Sequence, residues 1–300
     1  GYDLLGRLEP KALIAAKLAS SASKVFNLYG VTAETFGIFG WDLTREEMER
    51  VVEWQAEQGL DVLIPHAFYY SLRGERYSDC PPSFMADKFW DDFDEFVEHS
   101  RKQLHETEGK WPRVAIYYPI ESVWGYLSPD NTTEAERVDQ AFQTTSYACY
   151  NIGAEFDYVP GLALDGDILT NYQFLILPNT EVMPLGVLEK IVLFSEGGGK
   201  VVCVGGEPKY ACRVSEQDAF DKAWKELATS VEYIDLQDQN FTQVSLGHAR
   251  TNVKNWLQQN VPPIWLARGV RVAKMLGYKR PISVNQITGI EGQLERIIES

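Results

Sequence analysis

The spacing of apolar residues predicts that the chain begins with a helix followed by a strand. Residues 10–24 are rich in Ala, Leu and Lys after Pro10, which is typical of the first turn of a helix. Residues 26–39 carry Val, Thr and aromatic side chains between Gly30 and Gly40. This composition predicts a strand that leads into a loop.

The next segment predicts a second helix and a second strand. Thr44 is followed three residues later by Glu47, the arrangement of a capping box, and an apolar face then runs on to Gly59. Residues 61–70 start as a continuous apolar run, which is typical of a parallel strand buried on both faces. A long helix is predicted at 87–108.

The distance between the two predicted strands indicates a barrel. Leu63 follows Glu34 by 29 residues, with one predicted helix between them. This is the repeat of a βα unit in a barrel that divides ~250 residues among eight units.

A second block of alternating strands and helices begins after Pro112. Its strands are predicted at 114–119, 155–159, 173–178 and 200–204, and its helices at 134–152 and 184–196. This alternation favours a doubly wound parallel sheet. Helices near 218–228 and 248–259 follow in a less regular tail. The chain is therefore predicted to be α/β, with a barrel portion at 1–110, a second α/β domain at 111–235 and an unassigned segment at 236–300.

Composition narrows the range of partners. The 43 acidic and 28 basic residues give a net charge of -15, which disfavours nucleic acids and anionic membranes. The apolar runs fall far short of the ~20 residues of a membrane-spanning helix. The four cysteines have no CxxC spacing, so plain buried thiols are favoured over zinc ligands. The aromatic content is 12%, and Trp and Tyr offer flat apolar faces with polar tips, which suits a carbohydrate partner, although core packing explains most of these residues.

Two polar residues stand at the ends of the first two predicted strands. Glu34 ends one strand and His66 ends the next, so both should face one cleft, where barrel enzymes hold catalytic groups. Trp41 and Asp42 follow closely and are candidates for substrate contact. A carboxylate among aromatic rings can act as a general acid or base. The alternative is an ordinary surface glutamate and a structural histidine.

A third candidate lies in the second block. Glu121 follows the strand at 114–119, where doubly wound sheets bind ligands, with Ser122 and Trp124 beside it. The alternative is a helix cap or a domain contact. The glycine run at 196–200 follows a helix and precedes a strand, so it predicts a turn and not a phosphate loop.

Residues 33–84 resemble a group of glycoside hydrolases related to the α-L-rhamnosidases. The resemblance lies in AETFGIFGWDL, in the following helix, in the strand ending near His66, and in YS-x-x-G and PP. GYDLLGR near the start is similar to the preceding segment of that group. VAIYYPIESVW is similar to the strand that opens a class I glutamine amidotransferase-like, flavodoxin-like domain after their barrel.

The resemblance implies a (β/α)₈ barrel enzyme that hydrolyses a glycosidic bond, with a rhamnoside or related sugar as substrate. Glu34 matches an active-site glutamate of the group, and Asp3, Trp41, His66 and Tyr69 match positions near the sugar. Members often bind calcium through carboxylates, but the resemblance assigns no ligands in this chain.

The second domain is implied to be catalytically silent, because no cysteine follows the strand at 173–178. Residues 1–110 supply only two or three of the eight strands of a barrel. The second carboxylate of the reaction, ~5–9.5 Å from the first, is expected in a missing barrel portion.

We therefore expect the C-terminal part of a longer glycosidase. Its protein partners would be the missing barrel portion or further copies of the chain. The sequence does not fix the localisation, and the extracellular space and the periplasm are both compatible with it. The alternative function is a non-catalytic carbohydrate-binding or subunit-interface module, and an amidotransferase is disfavoured by the absent cysteine.

Overall fold

The computed structural model describes residues 1–4, 10–69, 71, 73, 82–84, 86, 89, 91–104, 111–234, 291 and 293–298. The chain divides into two compact units. Unit 1 holds the described residues up to Leu104, and unit 2 holds those from Trp111 onward. The helix predicted at 248–259 and the thiol of Cys80 lie outside the described residues.

Unit 1 contains a three-stranded parallel sheet in the order β1-β2-β3. Its strands are β1 (Tyr2–Leu4), β2 (Thr32–Thr35) and β3 (Val62–Pro65), and its helices are α1 (Pro10–Val25), α2 (Arg45–Glu57) and α3 (Phe93–Leu104). The alternation of strands and helices agrees with the βα spacing. β1 was not predicted, because three residues are too few to show a periodic pattern.

Helix α2 begins as its sequence predicts. The Thr44 side chain accepts from the Glu47 main-chain N–H at 3.2 Å, and the Glu47 carboxylate accepts from the Thr44 N–H at 3.0 Å. This capping box satisfies two of the donors that a helix start leaves without an intrahelical partner. Met48, Val51 and Val52 are buried, so the predicted apolar face is confirmed.

The helices pack on one face of the sheet. Ala33 and Thr35 are fully buried there, together with apolar side chains from α1 and α3. Val62 and Ile64 point to the other face and are 51% and 50% exposed. The prediction that β3 is buried on both faces is therefore wrong. Among the described residues, no second layer covers the face that carries Val62 and Ile64.

The strand predicted at 26–39 is shorter than its apolar pattern. Residues 26–30 form a turn after α1, and β2 ends at Thr35 because Phe36 takes a left-handed φ of 83°. The Phe36 ring is fully buried and packs edge-on against Phe39, Phe84 and Phe96, with centroids 5.6–5.9 Å apart. These tertiary ring contacts hold a conformation that an aromatic residue rarely adopts.

Unit 2 contains a five-stranded parallel sheet in the order β10-β8-β6-β4-β5. These strands are β4 (Val114–Tyr118), β5 (Phe156–Pro160), β6 (Phe174–Pro178), β8 (Lys200–Val204) and β10 (Glu232–Ile234). A short parallel pair, β7 (Val182–Met183) with β9 (Tyr210–Ala211), lies apart from this sheet. The chain is therefore α/β with parallel sheets.

Within residues 111–234, four α-helices accompany the sheet: α4 (Ile120–Tyr126), α5 (Thr133–Asn151), α6 (Leu185–Glu196) and α7 (Gln217–Leu227). β6 is buried along its whole length, as its continuous apolar sequence requires. The glycine run after α6 forms a turn, with Gly198 at a φ of 94°. This confirms the predicted turn between a helix and a strand.

Helical residues at 293–298 also belong to unit 2. Leu294 is fully buried, and the Asn151 side-chain amide donates to Glu291 Oε1 at 2.8 Å. The end of the chain therefore packs against the C-terminal end of α5.

Candidate functional site

Asp3 and Glu34 lie side by side on the uncovered face of the unit 1 sheet. They are register partners on neighbouring parallel strands, and Ile64 is the next partner in the same row. Aligned residues of such strands project to the same side, and the strands lie ~4.8 Å apart. Asp3 is exposed and the Glu34 side chain is 43% exposed. Two carboxylates therefore reach the same open surface near the carboxyl ends of their strands.

His66 directly follows β3 and faces Glu34. Its Nε2 lies 3.8 Å from Glu34 Oε1, and its main-chain N–H donates to the Thr35 carbonyl at 2.7 Å. The 3.8 Å separation exceeds a hydrogen bond, so Glu34 and His66 are not hydrogen-bonded to each other. His66 Nδ1 is buried and has no hydrogen-bond partner among the described residues.

Tyr69 packs against this histidine. Its ring meets the His66 ring edge to face at 5.9 Å and 90°, and its main-chain N–H donates to Ser83 Oγ at 3.3 Å. The structure thus brings Asp3, Glu34, His66 and Tyr69 to one edge of the sheet.

A buried polar network behind Glu34 aligns β1 with β2. Gln55 of α2 donates to the Tyr2 hydroxyl at 3.0 Å, and its amide lies 3.0 and 3.2 Å from Thr35 Oγ1. Gln55 and Thr35 are fully buried. Burial raises the pKa of Tyr2 to about 12, against the opposing effect of the Gln55 hydrogen bond. The network holds β1, which carries Asp3, beside β2, which carries Glu34.

Sequence reasoning missed this network, although one signal was available. Gln55 stands on the apolar face of α2 beside Val51, Val52 and Trp54, where a long amide must find buried partners. An amide at such a position indicates a specific tertiary hydrogen bond.

Trp41 and Asp42 lie in the turn between β2 and α2. Trp41 is partly buried and Asp42 is exposed. Gly40 precedes them at a φ of 97°, and a Cβ there would come 2.7 Å from Asp42 Oδ1. Trp41 and Asp42 thus follow β2, the strand that carries Glu34. Their contact with a substrate stays a prediction.

Glu121 belongs to unit 2, where it occupies the first turn of α4. Its Oε2 accepts a hydrogen bond from the Tyr117 hydroxyl at 3.0 Å. Burial and the neighbouring Glu121 carboxylate raise the pKa of Tyr117 well above its usual value. Its proposed contact with a substrate also stays a prediction.

The described residues hold no group of three His, Cys, Asp or Glu side chains that could bind a metal ion. Within the same residues, no helix has the length and apolar character needed to cross a bilayer.

Comparison by sequence gives no family assignment, since neither a protein-family model nor a curated protein sequence matches the chain. Solved structures are similar in fold. A β-galactosidase from Bacillus circulans sp. alkalophilus aligns with 67% of this chain at 15% identity and a TM-score of 0.50. The chain spans only 31% of that enzyme.

Two further solved structures align more loosely. A rhamnosidase from Novosphingobium sp. PP1Y aligns with 79% of this chain and 25% of its own, at 16% identity and a TM-score of 0.48. The α-L-fucosidase isoenzyme 2 from Paenibacillus thiaminolyticus aligns over 70% of this chain and 31% of its own, at 16% identity and a TM-score of 0.41. The similarity to the β-galactosidase shows a fold like that of part of a glycoside hydrolase.

Proposed function

We propose that this chain is part of a glycoside hydrolase in which Glu34 is the general acid or base. The observation that carries the proposal is the row of Asp3 and Glu34 on an uncovered parallel sheet, with His66 Nε2 at 3.8 Å. Barrel enzymes hold their catalytic groups at the carboxyl ends of the strands. The fold similarity to part of a β-galactosidase supports the assignment to a glycoside hydrolase.

The chemistry assigns a different task to each side chain. Glu34 is half-exposed, so it can reach a glycosidic oxygen and transfer a proton to it or from an attacking water. Asp3, one strand away, accepts hydrogen bonds from sugar hydroxyls. His66 and Tyr69 form the wall beside Glu34 and orient the same sugar.

The open sheet face requires a further part of the barrel. Val62 and Ile64 expose half of their side chains beside the two carboxylates, where a closed barrel packs its interior. We infer that further β/α units cover this face and supply the second carboxylate of the reaction. The alignment with less than a third of a β-galactosidase is consistent with that inference.

Unit 2 is proposed to be a flavodoxin-like, amidotransferase-like domain without amidotransferase activity. Its strand order, read from β5, corresponds to the doubly wound order 2-1-3-4-5. Asn179, at a φ of 42°, occupies the sharp turn after β6 where such an enzyme would need a nucleophilic cysteine. An amide cannot serve as that nucleophile.

The substrate is proposed to be a rhamnoside or a related deoxy-sugar glycoside. The support is the resemblance of residues 33–84 to the α-L-rhamnosidase group. An acidic protein of net charge -15 also suits an uncharged sugar better than an anionic one.

The test is a screen of aryl α-L-rhamnosides, β-D-galactosides and α-L-fucosides with this chain and with the longest polypeptide that contains it. Glu34→Gln should lower turnover by roughly 10²–10⁴-fold, the usual contribution of a general acid or base. Glu98→Gln is the matched control, because that side chain is 73% exposed on α3. Unchanged circular dichroism would show that Glu34→Gln folds. Full activity in that variant, or no turnover by either protein, contradicts the proposal.

A non-catalytic module for sugar binding or subunit contact is the second candidate. It is favoured by large apolar side chains exposed on unit 2, with Trp124 at 67% and Leu162 at 74%. This module would bind a sugar, or associate in sedimentation experiments, without turning over any glycoside.

A further inference from the structure

The loop that carries His66 and Tyr69 in unit 1 is tied to residues 82–84. The Ala67 carbonyl accepts a hydrogen bond from the Phe84 main-chain N–H at 2.9 Å. The Ala67 N–H in turn donates to the carbonyl of residue 82 at 3.4 Å. These two main-chain contacts hold the loop against this segment immediately after His66.

Ser83 adds a side-chain contact to the same loop. Its Oγ accepts a hydrogen bond from the Tyr69 main-chain N–H at 3.3 Å, and Ser83 is fully buried. A buried hydroxyl is held to its hydrogen-bond partners, because leaving them unpaired is costly. The Tyr69 ring meets the His66 ring edge to face at 5.9 Å, so a shift of the Tyr69 backbone also changes the surroundings of the imidazole.

The residue after Ser83 anchors the segment in the aromatic core. Phe84 is fully buried, and its ring centroid lies 5.4–5.9 Å from those of Phe36, Phe68, Phe89 and Phe93. Phe36 directly follows β2, so Phe84 packs against the end of the strand that carries Glu34. Close packing of this kind locks side chains and transmits small displacements. Ser83 is therefore held by a packed support that also contacts the end of β2.

A second buried serine of unit 1 makes a different kind of contact. Ser100 is 5% exposed, and its Oγ donates to the Phe96 carbonyl at 2.8 Å, four residues earlier in α3. This hydrogen bond stays within one helix, so its loss affects stability and not the path of a loop. The Ser83 hydrogen bond instead joins two parts of the chain that lie 14 residues apart, and one of them carries the candidate site.

We propose that Ser83 is a positioning residue of the candidate sugar site, an inference that rests on the function proposed for Glu34 and its neighbours. The Ser83 hydroxyl holds the Tyr69 backbone, and the Tyr69 ring holds the His66 ring. His66 Nε2 then faces Glu34 Oε1 at 3.8 Å. Because Ser83 is fully buried, it acts through Tyr69 and His66 and not by contact with the sugar.

Long-range ¹H–¹⁵N NMR of the histidine rings in the full chain tests this role. The chain has four histidines, and the His66 signals are identified by their absence in His66→Asn. Ser83→Ala should shift these signals, because the Tyr69 ring is no longer held in place. The Tyr69 amide should also exchange about fivefold faster, which corresponds to the ~1 kcal/mol of one hydrogen bond. Ser100→Ala is the matched control, since it removes a buried serine hydroxyl but should leave the His66 signals unchanged.

The outcomes distinguish positioning from a general loss of stability. Circular dichroism checks that both alanine variants fold. Tyr69→Leu removes the ring and leaves Ser83 in place, so it should shift the His66 signals even where Ser83→Ala does not fold. His66 signals that stay unmoved in Ser83→Ala or in Tyr69→Leu overturn the proposal. Equal shifts in Ser83→Ala and Ser100→Ala overturn it as well, because they would mean that unit 1 loosens as a whole.

Kinetics separate this proposal from the hydrolytic role of Glu34. Where a glycoside is turned over, Ser83→Ala should raise KM about fivefold and change kcat less than about twofold, because it weakens the binding of the sugar and leaves the proton transfer intact. Glu34→Gln should lower kcat instead. Shifted His66 signals in Ser83→Ala together with full activity in Glu34→Gln would refute the hydrolytic role of Glu34 and leave the positioning by Ser83 standing.

Discussion

Replacing Gln55 by leucine tests whether the buried network aligns the two carboxylates. Leucine keeps most of the volume but removes the hydrogen bond to Tyr2 and both contacts with Thr35. The lost bond to Tyr2 is worth ~1 kcal/mol, and the buried Thr35 hydroxyl left unpaired costs ~1–3 kcal/mol. Gln55→Leu should therefore lower the stability of unit 1 by about 2–4 kcal/mol.

Hydrogen exchange read by mass spectrometry measures this change locally. The amides of β2 should exchange about 30- to 700-fold faster, since each ~1.4 kcal/mol is tenfold. The amides of β4 and β6 in unit 2 should be unaffected, which makes them an internal reference. The Thr35→Val/Gln55→Leu double variant should recover much of the loss, because both buried partners become apolar.

An increase in β2 exchange of less than about threefold, or ~0.6 kcal/mol, would refute the reasoning. A double variant as labile as Gln55→Leu alone would refute the assignment of the cost to the unpaired Thr35 hydroxyl. Where turnover is detected, Gln55→Leu should also reduce it, because Asp3 is then no longer held opposite Glu34.

Three further results are expected. Thr44→Ala should destabilise unit 1 by ~1 kcal/mol in urea unfolding, since it removes the side-chain cap of α2, whereas equal stability would show that solvent replaces the cap. The pKa of Tyr2 is raised from 10.0 to about 12 in the folded chain. The contribution of its hydroxyl to the free energy of unfolding, at most ~2.7 kcal/mol, is therefore present below pH 10 and is lost between about pH 10 and 12. Tyr2→Phe should flatten this decline of stability with pH. Iodoacetamide should modify the exposed Cys212 before the buried thiols of Cys149 and Cys203. Peptide mass spectrometry of a labelling time course measures the order. Simultaneous labelling of the three thiols would mean that unit 2 opens readily.

Local sequence signals predicted the elements better than they predicted the environment of the site. Thr44 and Glu47 mark a helix start by themselves, and the apolar run of 173–178 marks a buried strand. The left-handed φ of Phe36 was not predictable, because it depends on rings that come from distant parts of the chain. The exposure of Ile64 was not predictable either, since an apolar run does not reveal which of its faces will be covered.

Asn179 shows the same limit in unit 2. The sequence excluded a cysteine nucleophile after β6, but it did not indicate a buried amide with an unused donor. The main-chain N–H of Gly206, 27 residues away, donates to the side-chain Oδ1 of Asn179 and fixes the orientation of the amide. Long-range hydrogen bonds of this kind are set by the fold and leave no local pattern.

The bare sheet of unit 1 has a consequence for handling the protein in solution. β1 and β3 are the outer strands of the described sheet, and unpaired edges invite strand addition between chains. The exposed Val62 and Ile64 side chains add an apolar face that favours aggregation. The net charge of -15 opposes aggregation, because like-charged chains repel each other. Salt screens this repulsion, and the screening length is ~10 Å at 0.1 M ionic strength. Concentrated stocks should therefore stay clear at low ionic strength and turn turbid as salt is added.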